Sequence, residues 1–240
     1  MRRILNLTLA DLKNVRRDPM LIMAIAGPAM LTLVFRFVPP ILTEWLTQKF
    51  GFDLTAYYDL ILIFILQLVP LMIGMVSGYL MLDERDENLI QLFAVTPLRK
   101  SGYLFVRLAM PVLLTIMFTI LLVYFTGLIQ IKVVQLLPTI LLLAMEAPMM
   151  ALFLVSFAAN KVEGLALSKG IGIIVAAPFA AYFIQWPWQI IAGISPTYWV
   201  AKMFFADSHS YENTFFLTVS LLMHGALMWY LFLTFQRRLD

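Results

Sequence analysis

The sequence predicts an all-α integral membrane protein with six transmembrane helices, and three observations support this prediction. Hydrophobic residues make up 62% of the 240-residue chain and charged residues only 13%, whereas soluble domains are about half apolar and a quarter charged. Six stretches reach the roughly 20 apolar residues that a membrane helix needs. Lysine and arginine gather in alternate links between these stretches, as the positive-inside rule describes. We therefore expect a single transmembrane domain over residues 1–240.

The first expected element is an amphipathic helix at residues 1–18 that lies in the membrane interface. Leucines recur there at helical spacing, and most of the basic side chains fall off this apolar stripe. Helices of this kind lie at the level of the lipid headgroups; a frayed positive anchor is the alternative. Asp18 and Pro19 then predict the start of the next helix, with aspartate as N-cap and proline in the first turn.

Six predicted spans follow, and the basic residues orient them. The spans are about Pro19–Pro39, Tyr58–Leu82, Tyr103–Gln130, Val134–Ala159, Leu165–Ile184 and Phe215–Phe235. Most of the 17 lysines and arginines fall on one side of the membrane, namely Arg2, Arg3, Lys13, Arg16, Arg17, Arg85, Arg99, Lys100, Arg107, Lys161, Lys169, Arg237 and Arg238. We expect this side to be the cytoplasm, with both chain ends there.

The link after the second span, MLDERDENLIQLFAVTPLRK, is far more polar than its neighbours. Its acids would favour the first turns of a helix beginning at Asp83, and Pro97 would end that helix. The sequence thus predicts a short cytoplasmic helix with one apolar side, within residues 83–100; a solvated loop is the alternative. The apolar side would consist of Leu82, Leu89, Ile90 and Phe93.

Two ionisable residues lie inside predicted spans. Glu146 is the only acidic residue well inside a predicted span, and a charge at that depth costs about 2.5–3.5 kcal/mol on insertion scales, so it should face protein or water. It could bind a cationic substrate or carry a proton, or serve as a structural carboxyl. His224 in the last span is a further candidate for the same path. With two histidines and no cysteine, we expect no metal site.

Residues 185–206 are too short and too interrupted to span the bilayer. Prolines break the segment at Pro187 and Pro196, and irregular backbone at membrane depth must be buried in protein. Tryptophan and tyrosine favour the membrane–water interface. We therefore expect a re-entrant helical hairpin on the outer side, before the last span. Its interfacial aromatic residues are Trp186, Trp188, Tyr198 and Trp199.

Two stretches resemble the type-2 permeases of ATP-binding cassette (ABC) exporters. LDERDENLIQLFAVTPLRKSGYLFVRL, residues 82–108, is similar to the cytoplasmic motif of that family, in which an acidic-basic cluster leads into a leucine-rich helix and a TP or SP turn. PWQIIAGISPTYWVAKMF, residues 187–204, resembles the family's outer segment. Drug-export permeases of similar length look closest. The resemblance implies that residues 83–100 are the coupling helix seated on an ATPase subunit, through Glu84, Arg85, Glu87, Leu89, Phe93, Thr96 and Pro97.

The same resemblance implies the outer gate and the partners. The sequence contains no GxxxxGK[ST] phosphate loop, so ATP and Mg²⁺ are expected on a separate ATPase, in two copies, and no cofactor on this chain. A second permease copy or a similar chain would complete the exporter in the cell membrane of a prokaryote. The substrate would be small and hydrophobic or amphipathic (a drug, lipid or peptide), with no nucleic acid involved. The implied gate residues are Pro187, Trp188, Pro196, Tyr198 and Trp199.

Other functions remain open from the residues alone. An ion-gradient-driven secondary transporter would use Glu146 as its proton site, although such folds usually show internal repeats. A membrane anchor or assembly subunit without transport activity is a further alternative. An intramembrane enzyme is disfavoured, because the chain has no HExxH or GxSxG motif and no paired intramembrane acids.

Overall fold

The computed structural model describes residues 19–87, 89, 99–185, 187–206 and 211–239, and all regular structure within them is helical. The predicted interfacial helix at residues 1–18 lies outside the described residues. The elements are α1 (Pro19–Phe50), a 3₁₀ turn (Leu54–Tyr57), α2 (Tyr58–Asp86), α3 (Arg99–Thr126), α4 (Val133–Phe157), α5 (Lys161–Ile171), a 3₁₀ segment (Gly172–Ala176), α6 (Ala177–Phe183), α7 (Gln189–Ala192), α8 (Pro196–Phe205) and α9 (Tyr211–Leu239).

The prediction of six membrane spans is confirmed within the described residues. Helices α1, α2, α3, α4 and α9 are each long and apolar enough to cross a bilayer, and α5, the 3₁₀ segment and α6 together form the remaining span, Lys161–Phe183. The first helix continues beyond the expected end at Pro39 to Phe50. Membrane helices tolerate internal proline when neighbouring groups satisfy the freed backbone, so Pro39 does not end α1.

The fifth span is interrupted, whereas the sequence predicts one helix over Leu165–Ile184. The α-helix ends at Ile171, the chain tightens into the 3₁₀ segment Gly172–Ala176, and α6 then begins at Ala177. Pro178 lies in the first turn of α6, where its missing N–H would have no intrahelical partner anyway. The interruption brings the 3₁₀ segment beside the pocket described below.

Helix α4 forms the centre of the bundle and packs closely on α2. It is the most buried of the six spans, and its neighbour α2 presents Gly74 and Gly78 to it. A Cβ atom built on Gly74 would lie 2.7 Å from Met150 Cβ and closer still to the Ala147 carbonyl oxygen. Small residues at such contacts let membrane helices approach one another. The α2–α4 contact therefore holds residues on both helices in fixed register.

Gly74→Ala is expected to destabilise the protein, although alanine is the better helix former. The added methyl group overlaps α4, and overpacking of this kind costs about 1–3 kcal/mol. Gly225→Ala in α9 is the matched control, because a Cβ there meets nothing within 4 Å, so its thermal stability should be unchanged or higher. Thermal unfolding of both variants in detergent checks this; equal melting temperatures would contradict the close α2–α4 contact.

Candidate functional site

A partly enclosed pocket of about 140 Å³ lies within the bundle. Residues from α2, α4, α8, α9 and the interrupted fifth span form its wall, and most of them are apolar. Two strongly polar side chains line it, Gln67 of α2 and Glu146 of α4. Thr197, at the start of α8, also contributes to the wall. An apolar pocket with few convergent polar groups is the usual form of a small-molecule site.

Gln67 connects this pocket to the chain segment before the last span. The side chain is only 1% exposed, and its Nε2 donates to the Thr197 carbonyl oxygen at 2.5 Å. Its Oε1 is buried and has no hydrogen-bond partner among the described residues. The amide thus uses its donor to hold α8 and leaves an acceptor unsatisfied.

Glu146 faces His224 across the contact between α4 and α9. Glu146 is 8% exposed and His224 fully buried, and Glu146 Oε1 lies 3.8 Å from His224 Nε2. His224 Nδ1 lies 2.7 Å from the Ser220 carbonyl oxygen, which can only accept, so Nδ1 carries a hydrogen. Neither facing atom has a hydrogen-bond partner within the described part of the chain. The structure thus brings together the two intramembrane residues that the sequence singles out.

The segment at residues 187–206, called the outer segment below for the side on which the sequence predicts it, contains the five predicted gate residues. Pro187 and Trp188 lie in a turn before α7, and Trp188 is exposed. Tyr198 is buried, and its hydroxyl donates to Gln189 Oε1 at 2.9 Å. Trp199 Nε1 donates to the Gly193 carbonyl oxygen at 2.7 Å. These bonds join α7 and α8 into one unit.

Pro196 and Thr197 place the outer segment directly against the pocket. Both residues line the pocket, and Thr197 Oγ1 donates to the Ile174 carbonyl oxygen of the 3₁₀ segment at 2.8 Å. The outer segment is therefore attached to both the second and the fifth spans.

Lys202 lies further along α8. Burial lowers the pKa of its ammonium group, and the nearby Glu212 carboxylate partly offsets this effect.

The charged residues after Met81 mostly bind within the protein itself. Asp83 Oδ2 lies 2.6 Å from Lys161 Nζ at the start of α5. Glu84 forms an ion pair with Arg107 of α3, and its Oε2 accepts from the Tyr103 hydroxyl at 2.5 Å. We refer to this end of the bundle, where α2, α4 and α9 end and α3 and α5 begin, as the charged end.

Arg85 and Arg238 close the charged end by capping α4. Arg85 donates to the Val155 carbonyl oxygen at 3.0 Å and to the Ala158 carbonyl oxygen at 2.7 Å. Arg238, near the end of α9, donates to the same Ala158 oxygen at 2.7 Å. Basic groups are favoured at a helix C-terminus, where carbonyl groups lack partners. The two guanidinium groups thus join the ends of α2, α4 and α9.

The predicted start of the coupling helix is wrong at its first turn. Asp83–Asp86 are the last turn of α2, not the first turn of a separate helix, because the internal contacts just described favour continuation of the span. Leu82 is fully buried in the bundle core and does not belong to an exposed apolar face. Glu87 caps α2 and is exposed, and Leu89 is half-buried. The candidate residues Phe93, Thr96 and Pro97 lie outside the described residues.

Two residues of the pocket and the charged end were not singled out from the sequence. Gln67 was missed because it carries no charge. The signal in the sequence is a single amide within the apolar run FILQLVP. Arg238 is predicted only as part of the positive tail, because its contact with Ala158 depends on how the ends of α9 and α4 meet in the folded chain. Among the described residues, no group of three His, Asp or Glu side chains lies close enough to hold a metal ion.

Comparison with known proteins relates the chain to export permeases. The family model described as "Fluoroquinolones export permease protein Rv2686c-like" matches residues 11–232. Two fluoroquinolones export permease proteins of Mycobacterium tuberculosis, from strains CDC 1551 / Oshkosh and ATCC 25618 / H37Rv, are each 29% identical to the chain over 231 residues. The alignment covers 95% of this chain and 92% of each relative. No solved structure matches the chain at a significant level.

Proposed function

Because the chain belongs to the Rv2686c-like family of fluoroquinolones export permease proteins, we propose that it is the membrane subunit of an ATP-driven exporter whose ATPase is a separate polypeptide. The family match over residues 11–232 confirms the resemblance to drug-export permeases and is the observation that carries the proposal. The chain is an integral membrane protein and a drug-export permease. The similarity of residues 82–108 to type-2 ABC permeases supports ATP as the energy source.

The substrate path in this proposal passes through the pocket at Gln67 and Glu146. Its apolar wall suits a hydrophobic or amphipathic drug, and the named relatives support a fluoroquinolone as the substrate. The outer segment would act as the gate, because Pro196 and Thr197 close one side of the pocket. Opening of this gate would break the hydrogen bonds that Thr197 forms with Gln67 and with Ile174. Alternating access would then expose the same pocket to each side in turn.

Arg85 supplies a route by which an ATPase could move the pocket. The proposed coupling segment, residues 83–100, begins in the last turn of α2, and Arg85 there binds the carbonyl of Val155 at the end of α4. Glu146 lies nine residues earlier on α4, about 14 Å along the helix axis. A displacement of the coupling segment would therefore shift α4 as a rigid element. Two ATPase copies and a second permease, either another copy of this chain or a similar chain, complete the proposed assembly.

The proposed orientation places the charged end in the cytoplasm of a prokaryotic cell. The native chain has no cysteine, so single cysteines can report on topology without background. We expect cysteines replacing Lys49 and Lys202 to react with an impermeant thiol reagent added to intact cells, and one replacing Lys100 to react only after lysis. Labelling of the cysteine at position 100 in intact cells would reverse the orientation.

The Glu146–His224 pair favours one second candidate, an ion-gradient-driven transporter. One proton placed between Glu146 Oε1 and His224 Nε2 would satisfy both atoms, and intramembrane acid–histidine chains serve as proton relays in such transporters. The two candidates differ in energy source. Transport that continues after depletion of ATP, and stops when the proton gradient is removed, would favour the second candidate.

Accumulation of a fluoroquinolone in cells tests the proposed function. Deletion of the gene from its host should raise the intracellular level of the drug, and expression of the wild-type chain should restore the low level. Expression of Gly225→Ala is the control for re-expression, because that position is open. Equal accumulation in the deletion strain and in an overexpressing strain would contradict the proposal.

A further inference from the structure

Two residues that line the pocket, Gln67 and Glu146, carry buried hydrogen-bond acceptors that the described chain does not satisfy. Gln67 Oε1 and Glu146 Oε1 are both buried and lack partners among the described residues, and both residues line the same pocket. His224 Nε2, 3.8 Å from Glu146 Oε1, is also buried without a partner among the described residues, although His224 does not line the pocket. Buried polar groups in folded proteins are nearly always hydrogen-bonded. Acceptors gathered in one place therefore indicate a ligand that brings donors.

The volume and wall of the pocket limit what this ligand can be. The pocket encloses about 140 Å³, close to the roughly 150 Å³ of an apolar cavity that holds benzene. One six-membered ring therefore fits, whereas a whole drug does not. Methionine side chains adapt their shape to the group they contact. The apolar wall beside the two acceptors includes Met149, Met150, Phe153, Leu227 and Leu231.

We propose that this pocket binds one ring of the exported substrate, and that the ring carries a protonated amine that donates to Glu146 and Gln67. An ammonium group has up to three N–H donors and no acceptor, which matches a site of unpartnered acceptors. Its positive charge also compensates the carboxylate of Glu146, which is costly to bury alone. A ligand carboxylate would meet the like charge of Glu146 and, at Gln67 Oε1, a second acceptor. The proposal rests on the proposed function, because it names the substrate class for that path.

Binding of three small probes to the purified chain tests the proposal without any ATPase. Benzylammonium, benzyl alcohol and benzoate have the same ring but differ in charge and donors. Calorimetry in lipid nanodiscs, with empty nanodiscs as the blank, gives each Kd. We expect benzylammonium to bind about tenfold more tightly than benzyl alcohol, as hydrogen bonds to a charged group are the stronger ones, and benzoate to bind most weakly. Equal affinities for benzylammonium and benzoate, or no binding of either, would overturn the proposal.

Two variants assign the preference to the named side chains. Glu146→Gln keeps the size of the side chain but removes the charge, so it should abolish the preference for benzylammonium over benzyl alcohol. Gln67→Leu removes one acceptor and should weaken benzylammonium binding about five- to tenfold. Thr119→Val is the matched control, because its hydroxyl is also buried without a partner among the described residues but lies outside the pocket wall. Wild-type selectivity in Glu146→Gln would overturn the assignment.

The two proposals can fail separately in this experiment. Loss of binding selectivity with normal drug export would remove the ammonium site and leave the exporter function intact. Selective binding of benzylammonium without any export would keep the site and remove the transport function. The wild-type probe series does not depend on any variant, so it remains decisive if Glu146→Gln fails to fold.

Discussion

Arg85→Glu is expected to prevent stable folding of the charged end of the bundle. The guanidinium group donates to the carbonyl oxygens of Val155 and Ala158, and hydrogen bonds of charged groups contribute about 1.5–3 kcal/mol each. A glutamate there would place a carboxylate against the unpaired carbonyl oxygens at the C-terminus of α4, where the helix dipole disfavours negative charge. The loss should reach several kcal/mol, a large part of the stability of a typical domain.

Thermal unfolding and protein yield in detergent measure this effect. Arg237→Glu is the matched control, because Arg237 is an exposed arginine one residue before Arg238, and it should leave the melting temperature nearly unchanged. Arg238→Ala should give an intermediate loss, since Ala158 would keep its bond from Arg85. If Arg85→Glu melts with the wild-type protein, the two arginines do not hold α4 in place.

Phe93→Ala is expected to uncouple ATP hydrolysis from transport while the six spans remain folded. Leu89 and Phe93 lie four residues apart, so they share one face of a helical segment. If that face docks into an ATPase, burial of the phenylalanine contributes about 1.5–3 kcal/mol. Its loss should weaken the complex by one to two orders of magnitude. Phe93 lies outside the described residues; the sequence predicts its helical face, and the family resemblance implies its docking role.

Copurification of the ATPase and its stimulation by substrate measure the coupling. Gln91→Ala is the matched control, because position 91 falls on the opposite side of such a helix. It should leave assembly and stimulation unchanged. Full assembly and full stimulation in Phe93→Ala would assign the contact to another part of the chain.

The number of spans could be predicted from the sequence because span length and polarity are local properties. The positions of Glu146 and His224 could be predicted too, since each is an ionisable residue in an apolar run. Their pairing could not, because it depends on how α4 packs against α9. Gln67 is visible in the sequence as a lone amide in an apolar run, but its contact with Thr197 and its place in a pocket depend on how α2 packs against α8.

The end of α2 shows why charged residues alone do not predict where a helix begins or ends. Acids at Asp83 and Glu84 are typical of a helix start, and the sequence therefore predicts a new helix there. In the folded chain Lys161 and Arg107 neutralise these carboxylates, so the acids can lie at the end of a helix instead. The basic partners are distant in sequence, and only the tertiary structure brings them to this place.

Transport into proteoliposomes tests directly whether this chain is a drug-export permease driven by a separate ATPase. The purified chain would be reconstituted with the ATPase that copurifies with it, and uptake of a fluoroquinolone measured in inside-out vesicles. We expect uptake that requires ATP, requires both subunits and continues when the proton gradient is dissipated. Uptake by the chain alone along a proton gradient, or no uptake with ATP and both subunits present, would contradict it.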